Sequence, residues 1–508
     1  MRRKVRYTEG RLEVPPAEAM KEYVITPMLE YEKMTFQQYL LTDFAHTVML
    51  AEEGIISRDD AAAILSCLRE LEHLGVEKLP IDAEQGSLLL QVEAFMSNRI
   101  GEAAGKMHTG RSRNDQGAAI ARLYTRDKVL SIIERLLALQ RAIVNLADKH
   151  VETVMPGYTH LQHAQPITFA HYLLSNFYPF ERDFERLRCG FNHTNMNSLG
   201  GAAIAGTCWP LNRCRTAELT GCDGIVLNSK DSIGFAPDYL AEIICDCALL
   251  MSDLGHLVGD LYVWSSYEFR MVEIDDSYAD TSSIMPQKKN FDSGEKIMGE
   301  VGLSLGWPTA ALGALRMTTS TDCTTAYADQ LGIVDVLKKT ENMLTLSVGI
   351  LESLKVNQDI MIERAGAFWS TASNLADTIV RETGYSFRTA HQIVGRLVKT
   401  AIEQRKKPLE ITGDMVDKAA EEIIGRRLAL GDDKVRRAID PVEFVNSRVT
   451  TGSPNPNEVR AMLKDARDEL NHEREWLVAR REKLVSTKNK LTAATDALLV
   501  DWKQVRRE

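Results

Sequence analysis

The stretch AIARLYTRDKVLSIIERLLALQRAIVNLADKH, residues 119–150, repeats apolar side chains at Leu123, Leu130, Ile133 and Leu137 with charges between them. That spacing matches the α-helical period and predicts a long helix with one buried stripe. Comparable patterns run over residues 167–189, 239–267, 291–315 and 332–356. Most helical stability comes from packing, so helices this long and apolar must bury their surface against one another. Alternating β patterns are scarce. The expected fold class is all-α, with an N-terminal helical domain over 1–110, a central long-helix bundle over 111–359 and a C-terminal helical domain over 360–508. The sequence GSPNP at 452–456 interrupts the last of these. Beyond it, residues 457–484 read as a charged amphipathic helix, expected to pack on its own domain or on a neighbouring subunit.

Composition narrows the functional classes. At 508 residues the chain is too long for one ordinary core. With 44% hydrophobic and 26% charged residues it reads as a folded protein rather than a disordered one. A net charge of -10 disfavours nonspecific binding to nucleic acid or to anionic membrane. The opening MRRKVRYTEG lacks the apolar run of a secretory signal, and a cytoplasmic location is expected. Of the eight cysteines, only Cys245 and Cys247 are close neighbours, inside the apolar run LAEIICDCALLM. They read as buried thiols; no metal site is expected there.

Three polar stretches interrupt the apolar helices. HTGRSRNDQ, residues 108–116, precedes the long helix at 119–150, where free N–H groups and the helix dipole favour an anion and Arg113 can grip a carboxylate. A simple helix cap by Asn114 or Asp115, with Arg111 and Arg113 solvated, is the plainer alternative. GYTHLQHAQP, residues 157–166, sets Thr159 beside His160, whose imidazole moves protons near neutral pH. His163 and His171 read as structural. TSSIMPQKKN, residues 281–290, offers Ser282, Ser283 and Lys288 on backbone broken by Pro286; it is either a catalytic loop or a solvated surface one.

Taken together, in this order, these three stretches resemble the signature regions of the aspartase/fumarase superfamily, and within it the argininosuccinate lyase branch. SSIMPQKKN is similar to that branch, whereas fumarases and aspartases resemble SSIMPGKVN and adenylosuccinate lyases SSAMPHKRN. The likeness extends through MLAEEGIIS, SLGGAAIAGTCWPLNR, NSKDSI, WSSYEF, STASNLAD and AHQIVGRLV, from about Met49 to Val398.

The resemblance implies a homotetramer with a twenty-helix core, each active site shared between three subunits. It also implies reversible anti β-elimination of fumarate from an N-succinyl amine, with no cofactor and no metal. On this reading Ser282 is the base, helped by Lys288, and His160 faces the leaving amine with Glu295 orienting it. Ser112, Arg113, Asn114, Thr159, Ser283, Met285 and Asn290 would hold the small-molecule substrate. The chemistry requires stabilising a doubly charged carboxylate form of a carbanion, which fixed dipoles and an ammonium can do.

The chain departs from that branch on the amine side. Where its relatives resemble one another in a Tyr-Asn pair, a Gln and a Lys, an ungapped count puts Asp322, Tyr327 and Gln330. Pro237 stands near the place of a family arginine and Phe291 in that of a proline. These changes, beside an intact fumarate side, imply a different leaving group. With Asp322 and Tyr327 as amine-side contacts, the chain is similar to lyases of aminopolycarboxylates, ethylenediamine-N,N′-disuccinate (EDDS) being the expected substrate and argininosuccinate the alternative. A catalytically silent structural protein is the rival from another class; intact Ser282, Lys288, Asn290 and His160 speak against it.

Overall fold

The computed structural model describes residues 14–235, 237–315 and 332–505. In the N-terminal part, α1 (Phe36–Glu52), α2 (Arg58–Leu74) and α3 (Leu88–Ile100) close on a core that includes Leu40, Leu50, Ile64, Leu68 and Val92. The 119–150 pattern lies inside α4 (Arg113–Lys149), a helix of 37 residues. Leu123, Leu130, Ile133 and Leu137 are all buried along it. Its start is fixed chemically: Ser112 caps it, and Ser112 and Asp115 form a reciprocal capping box.

After α4 the chain does not continue as a loop. β1 (Val154–Thr159) pairs antiparallel with β2 (Gln162–Thr168), and the chain then enters α5 (Phe169–Thr194). The hairpin reverses the chain, so α5 runs back along α4; Phe169 N–H donates to Thr153 O and Ala170 N–H to His150 O. The large rings Phe177, Phe180, Phe184 and Phe191 of α5 are fully buried. α6 (Asp238–Ser265) lies against α5 with Gly190 beside Ile243 and Tyr172 beside Trp264. A Cβ on Gly190 would sit 2.6 Å from Ile243 Cδ1, so the close approach of these two helices requires glycine there.

The link after α6 carries a short ladder of β3 (Asp280–Thr281) with β4 (Lys289–Asn290). The pattern over 291–315 then resolves into two helices, α7 (Asp292–Ser304) and α8 (Trp307–Leu315). Gly306 ends one, and Pro308 fits the first turn of the next, where no N–H is needed. α9 (Ile333–Ser353) completes the bundle against α4 and α6. A separate apolar cluster joins α10 (Ala372–Thr383), α11 (Phe387–Glu403) and α12 (Gly413–Ile424) through Leu375, Ile379, Ile393 and Val416.

The charged tail is α13 (Pro456–Val505), a helix of 50 residues. It lies along the bundle of its own chain. Arg460 pairs with Glu152 at 2.5 Å and Arg467 with Asp148 at 2.7 Å near the far end of α4. Trp476 meets Phe184 and Phe191 edge-on, and Arg69–Asp496 ties the other end to α2. Leu491, Leu498 and Leu499 enter the N-terminal core. The fold is all-α apart from four two-stranded pairings among the described residues. Among these residues no helix is long and apolar enough to cross a membrane.

Candidate functional site

Ser112, Arg113 and Asn114 occupy the cap and first turn of α4. Ser112 Oγ accepts from Asn114 N–H, and Asn114 Nδ2 donates to Ala203 O at 3.2 Å. The cap is therefore made by Ser112 with Asp115, not by Asn114. Arg113 is exposed, but Arg111 is not solvated: it is fully buried and reaches Asp43 at 2.6 Å. Gln116 also donates to Asp43, and His46 meets Thr109 O at 3.0 Å, so the loop is pinned from behind. Burial, reinforced by the Arg111 charge, lowers the His46 pKa to about 3 and keeps that ring neutral. Asp115 clamps the other side, accepting from the N–H groups of Ser112, Gly200 and Ala202. Gly201 in this second loop admits no side chain, since a Cβ would fall 2.0 Å from Ser232 Oγ. Asp115 was not among the expected site residues, although the S-x-x-D spacing at 112–115 signals a capping box.

Thr159 and His160 form the tip of the hairpin. His160 and Leu161 both have φ near +55°, the left-handed conformation of a tight two-residue turn, and both are exposed. The non-glycine residues in that geometry are held by the ladder beneath, where Tyr158 faces His163. Beside the hairpin is a cleft of about 670 Å³ lined by Thr159, His163, Trp264, Phe269, Trp369 and Ser373. His163 is half-buried between Tyr158 and Phe368, and burial, then Arg364, lowers its pKa.

Between β3 and β4 the 282–288 loop folds on itself. Ser282 Oγ accepts from the N–H groups of Ile284 at 3.3 Å and Met285 at 3.0 Å. Lys288 N–H donates to Met285 O, and Ser282 N–H to Lys288 O, which keeps the turn closed. Two aligned N–H donors on one hydroxyl oxygen favour its ionised form. The two lysines differ. Lys289 bridges Glu273 and Asp276 at 3.1 and 2.6 Å, whereas Lys288 makes no ion pair among the described residues and is exposed. Ser283 and Met285 are exposed, and Asn290 is half-buried in β4. Glu295, in the first turn of α7, accepts from Tyr262 Oη at 2.8 Å. One chain thus gives it a tyrosine partner from α6 that the sequence did not reveal. Asp322 and Tyr327 lie outside the described residues.

The three stretches do not meet within one chain. Ser112 caps the start of α4, and the hairpin begins five residues past its end; at 1.5 Å per residue the helix separates them by about 54 Å. Even fully extended, the path from Lys149 to His160 reaches at most about 40 Å, so Ser112 and His160 stay at least about 15 Å apart. The Ser282 loop is anchored at the hairpin end as well. Phe269 meets Tyr158 edge-on, and the Tyr262–Glu295 bond fastens the loop's exit to the last turn of α6.

The sequence matches the Lyase family over residues 29–303 and the argininosuccinate lyase C-terminal family over residues 369–446. Argininosuccinate lyase of Methanosarcina mazei is 39% identical over 468 residues, covering 91% of this chain and 92% of the relative. That of Methanocaldococcus jannaschii is also 39% identical, over 92% of this chain and 95% of its own. The chain belongs to the aspartase/fumarase superfamily, in its argininosuccinate lyase-like branch. Among solved structures, EDDS lyase in complex with formate overlays with a TM-score of 0.82 at 32% identity, covering 97% of each chain. Family membership accounts for the long-helix bundle and for the order of the three polar stretches along it.

Proposed function

We propose that this protein is a carbon–nitrogen lyase that releases fumarate from an N-succinyl amine, with Ser282 as the base. The observation that carries this is the pair of N–H groups, of Ile284 and Met285, aimed at Ser282 Oγ. A serine hydroxyl is a poor base until something holds its alkoxide, and two backbone dipoles with Lys288 nearby supply that hold. Ser282 then takes the proton on the carbon next to one succinyl carboxylate, the C–N bond breaks at the adjacent carbon, and the amine departs. Ser112, Arg113, Asn114, Thr159 and Asn290 bind the carboxylates, and His160 faces the amine. Glu295 orients that histidine from another subunit.

Because the 112 stretch lies a helix length from the other two, the working site is composite and is built from several copies of the chain, a homotetramer in this reading. Argininosuccinate is the substrate favoured by the sequence relatives, which carry that enzyme's name at 36–39% identity. This reverses the order drawn from the amine-side residues. EDDS remains the second reading, supported by the 32% identical EDDS lyase and by the absence of a Tyr-Asn pair over 316–331.

The deciding experiment mixes purified protein with each compound and follows fumarate by its ultraviolet absorbance. Turnover of argininosuccinate well above that of EDDS supports the first reading, and the opposite ratio replaces it with the second. Release of fumarate from neither compound, nor from other N-succinyl amino acids, would leave the silent structural protein as the better account.

A further inference from the structure

Outside the three stretches, the outer groove between α5 and α6 gathers donors of another kind. Cys189 and His193 are four residues apart on α5 and so share one face of that helix, both exposed. Glu242 projects from the first turns of α6 across the groove, and its Oε2 is 2.8 Å from His193 Nδ1. The thiol sulfur, the imidazole nitrogen and the carboxylate oxygen all lie within 4.8 Å of one another. A tetrahedral metal with bonds of about 2.0–2.3 Å needs donors about 3.3–3.8 Å apart. Small rotations of three side chains reach that, the Glu242 carboxylate backing off the imidazole as the thiol moves in.

We propose that Cys189, His193 and Glu242 form a binding site for one thiophilic divalent cation, Zn²⁺ in the first instance, with the fourth position open to water. Sulfur, imidazole and carboxylate together select zinc over calcium or magnesium, which take oxygen ligands. The neighbouring arginines are directed elsewhere, Arg188 to Glu185. Arg186 is directed to Asp183 at 2.6 Å, and Arg122 donates to the His193 carbonyl and lies over the Tyr239 ring. One turn further along α6, half-buried Asp246 places a second carboxyl group beside Glu242. Binding releases the Cys189 proton to solvent and clasps α5 to α6 at the end of the bundle nearest Ser112.

Cobalt reports on the site directly, because a Co²⁺–thiolate bond gives a near-ultraviolet charge-transfer band. The full chain, kept reduced with a non-chelating phosphine, is titrated with Co²⁺ and then with Zn²⁺. The expected result is one Co²⁺ per chain with the thiolate band, bleached by one equivalent of Zn²⁺. Cys189→Ala should abolish the band, and His193→Ala and Glu242→Gln should each weaken binding by more than about tenfold, since even outer-shell partners are worth that much. Cys208 and Cys214 are exposed elsewhere on the chain and stay in every variant as internal controls. Zn²⁺ should raise the melting temperature of the parent and not of Cys189→Ala. All three variants should release fumarate at the parent rate, as none touches the candidate active site. A band that survives Cys189→Ala, or the absence of any band in the parent, overturns the proposal; a band kept at full affinity in both His193→Ala and Glu242→Gln reduces it to a lone thiol.

Discussion

Ser282 holds two N–H donors of its own turn on Oγ, and the same donors would hold the alkoxide that proton abstraction requires. Replacing it with Ala leaves the turn's backbone bonds between Lys288 and Met285 in place while removing the base. Fumarate release should fall by about 10²–10⁴-fold with the assembly unchanged by sedimentation. A retained rate would exclude Ser282 from the role. Behind the first polar stretch, the Arg111–Asp43 pair is wholly buried, so breaking it differs from replacing it. Arg111→Met leaves a buried carboxylate with only Gln116 and should cost about 3–5 kcal/mol in urea unfolding, whereas Arg111→Met with Asp43→Leu should cost clearly less. Equal losses in the single and double variants would show that Arg111 acts through other contacts.

At the scale of elements, the tail helix carries its own pH dependence. Glu473 of α13 is 2% exposed and faces Gln140 of α4, Glu469 of its own helix and Glu181 and Glu185 of α5. Burial first, then Glu469, raises its pKa to about 8. A carboxyl held protonated in the fold binds more protons folded than unfolded, so stability falls as pH rises from the unfolded value toward 8. It is fully present below about 4.5 and flattens above 8. The shift corresponds to at most a few kcal/mol. Glu473→Gln should therefore raise the melting temperature at pH 8.5, leave it unchanged near pH 4.5 and flatten the profile between. A variant that is no more stable at pH 8.5 would show that water reaches the ionised group. The hairpin is the other element of consequence: a left-handed His160-Leu161 tip puts the imidazole at an exposed apex, where another chain can cover it.

For the whole molecule, the length of α4 is decisive. It keeps the Ser112 stretch at least about 15 Å from His160, so a single chain does not bring the three stretches together. Two variants defective in different stretches, Asn114→Ala and Ser282→Ala, should each be nearly inactive yet regain activity when their subunits are exchanged by mild denaturation and refolding. Random mixing limits recovery to about one quarter of the parent rate if sites draw their parts from different copies. No recovery from a mixed assembly would argue that each site is built within one chain.

The residues themselves determined the all-helical bundle, because a buried stripe at 3.6-residue spacing can satisfy its backbone only one way once it packs. They also marked the three polar stretches, whose residue types and order suffice for a resemblance. Local signals also place the start of α4: Ser112 and Asp115 spell out their capping box. Other features had no local signal at all. The stretch at 157–166 reads as a loop, yet pairs into a hairpin because its partners lie across the turn. Pairing of Glu295 with Tyr262, of Arg111 with Asp43 and of His193 with Glu242 joins side chains 33 to 68 residues apart. Such contacts depend on how helices lie against each other, and only the folded chain sets that. The separation of the three polar stretches belongs there too, since helix length becomes distance only when the helix stays unbroken.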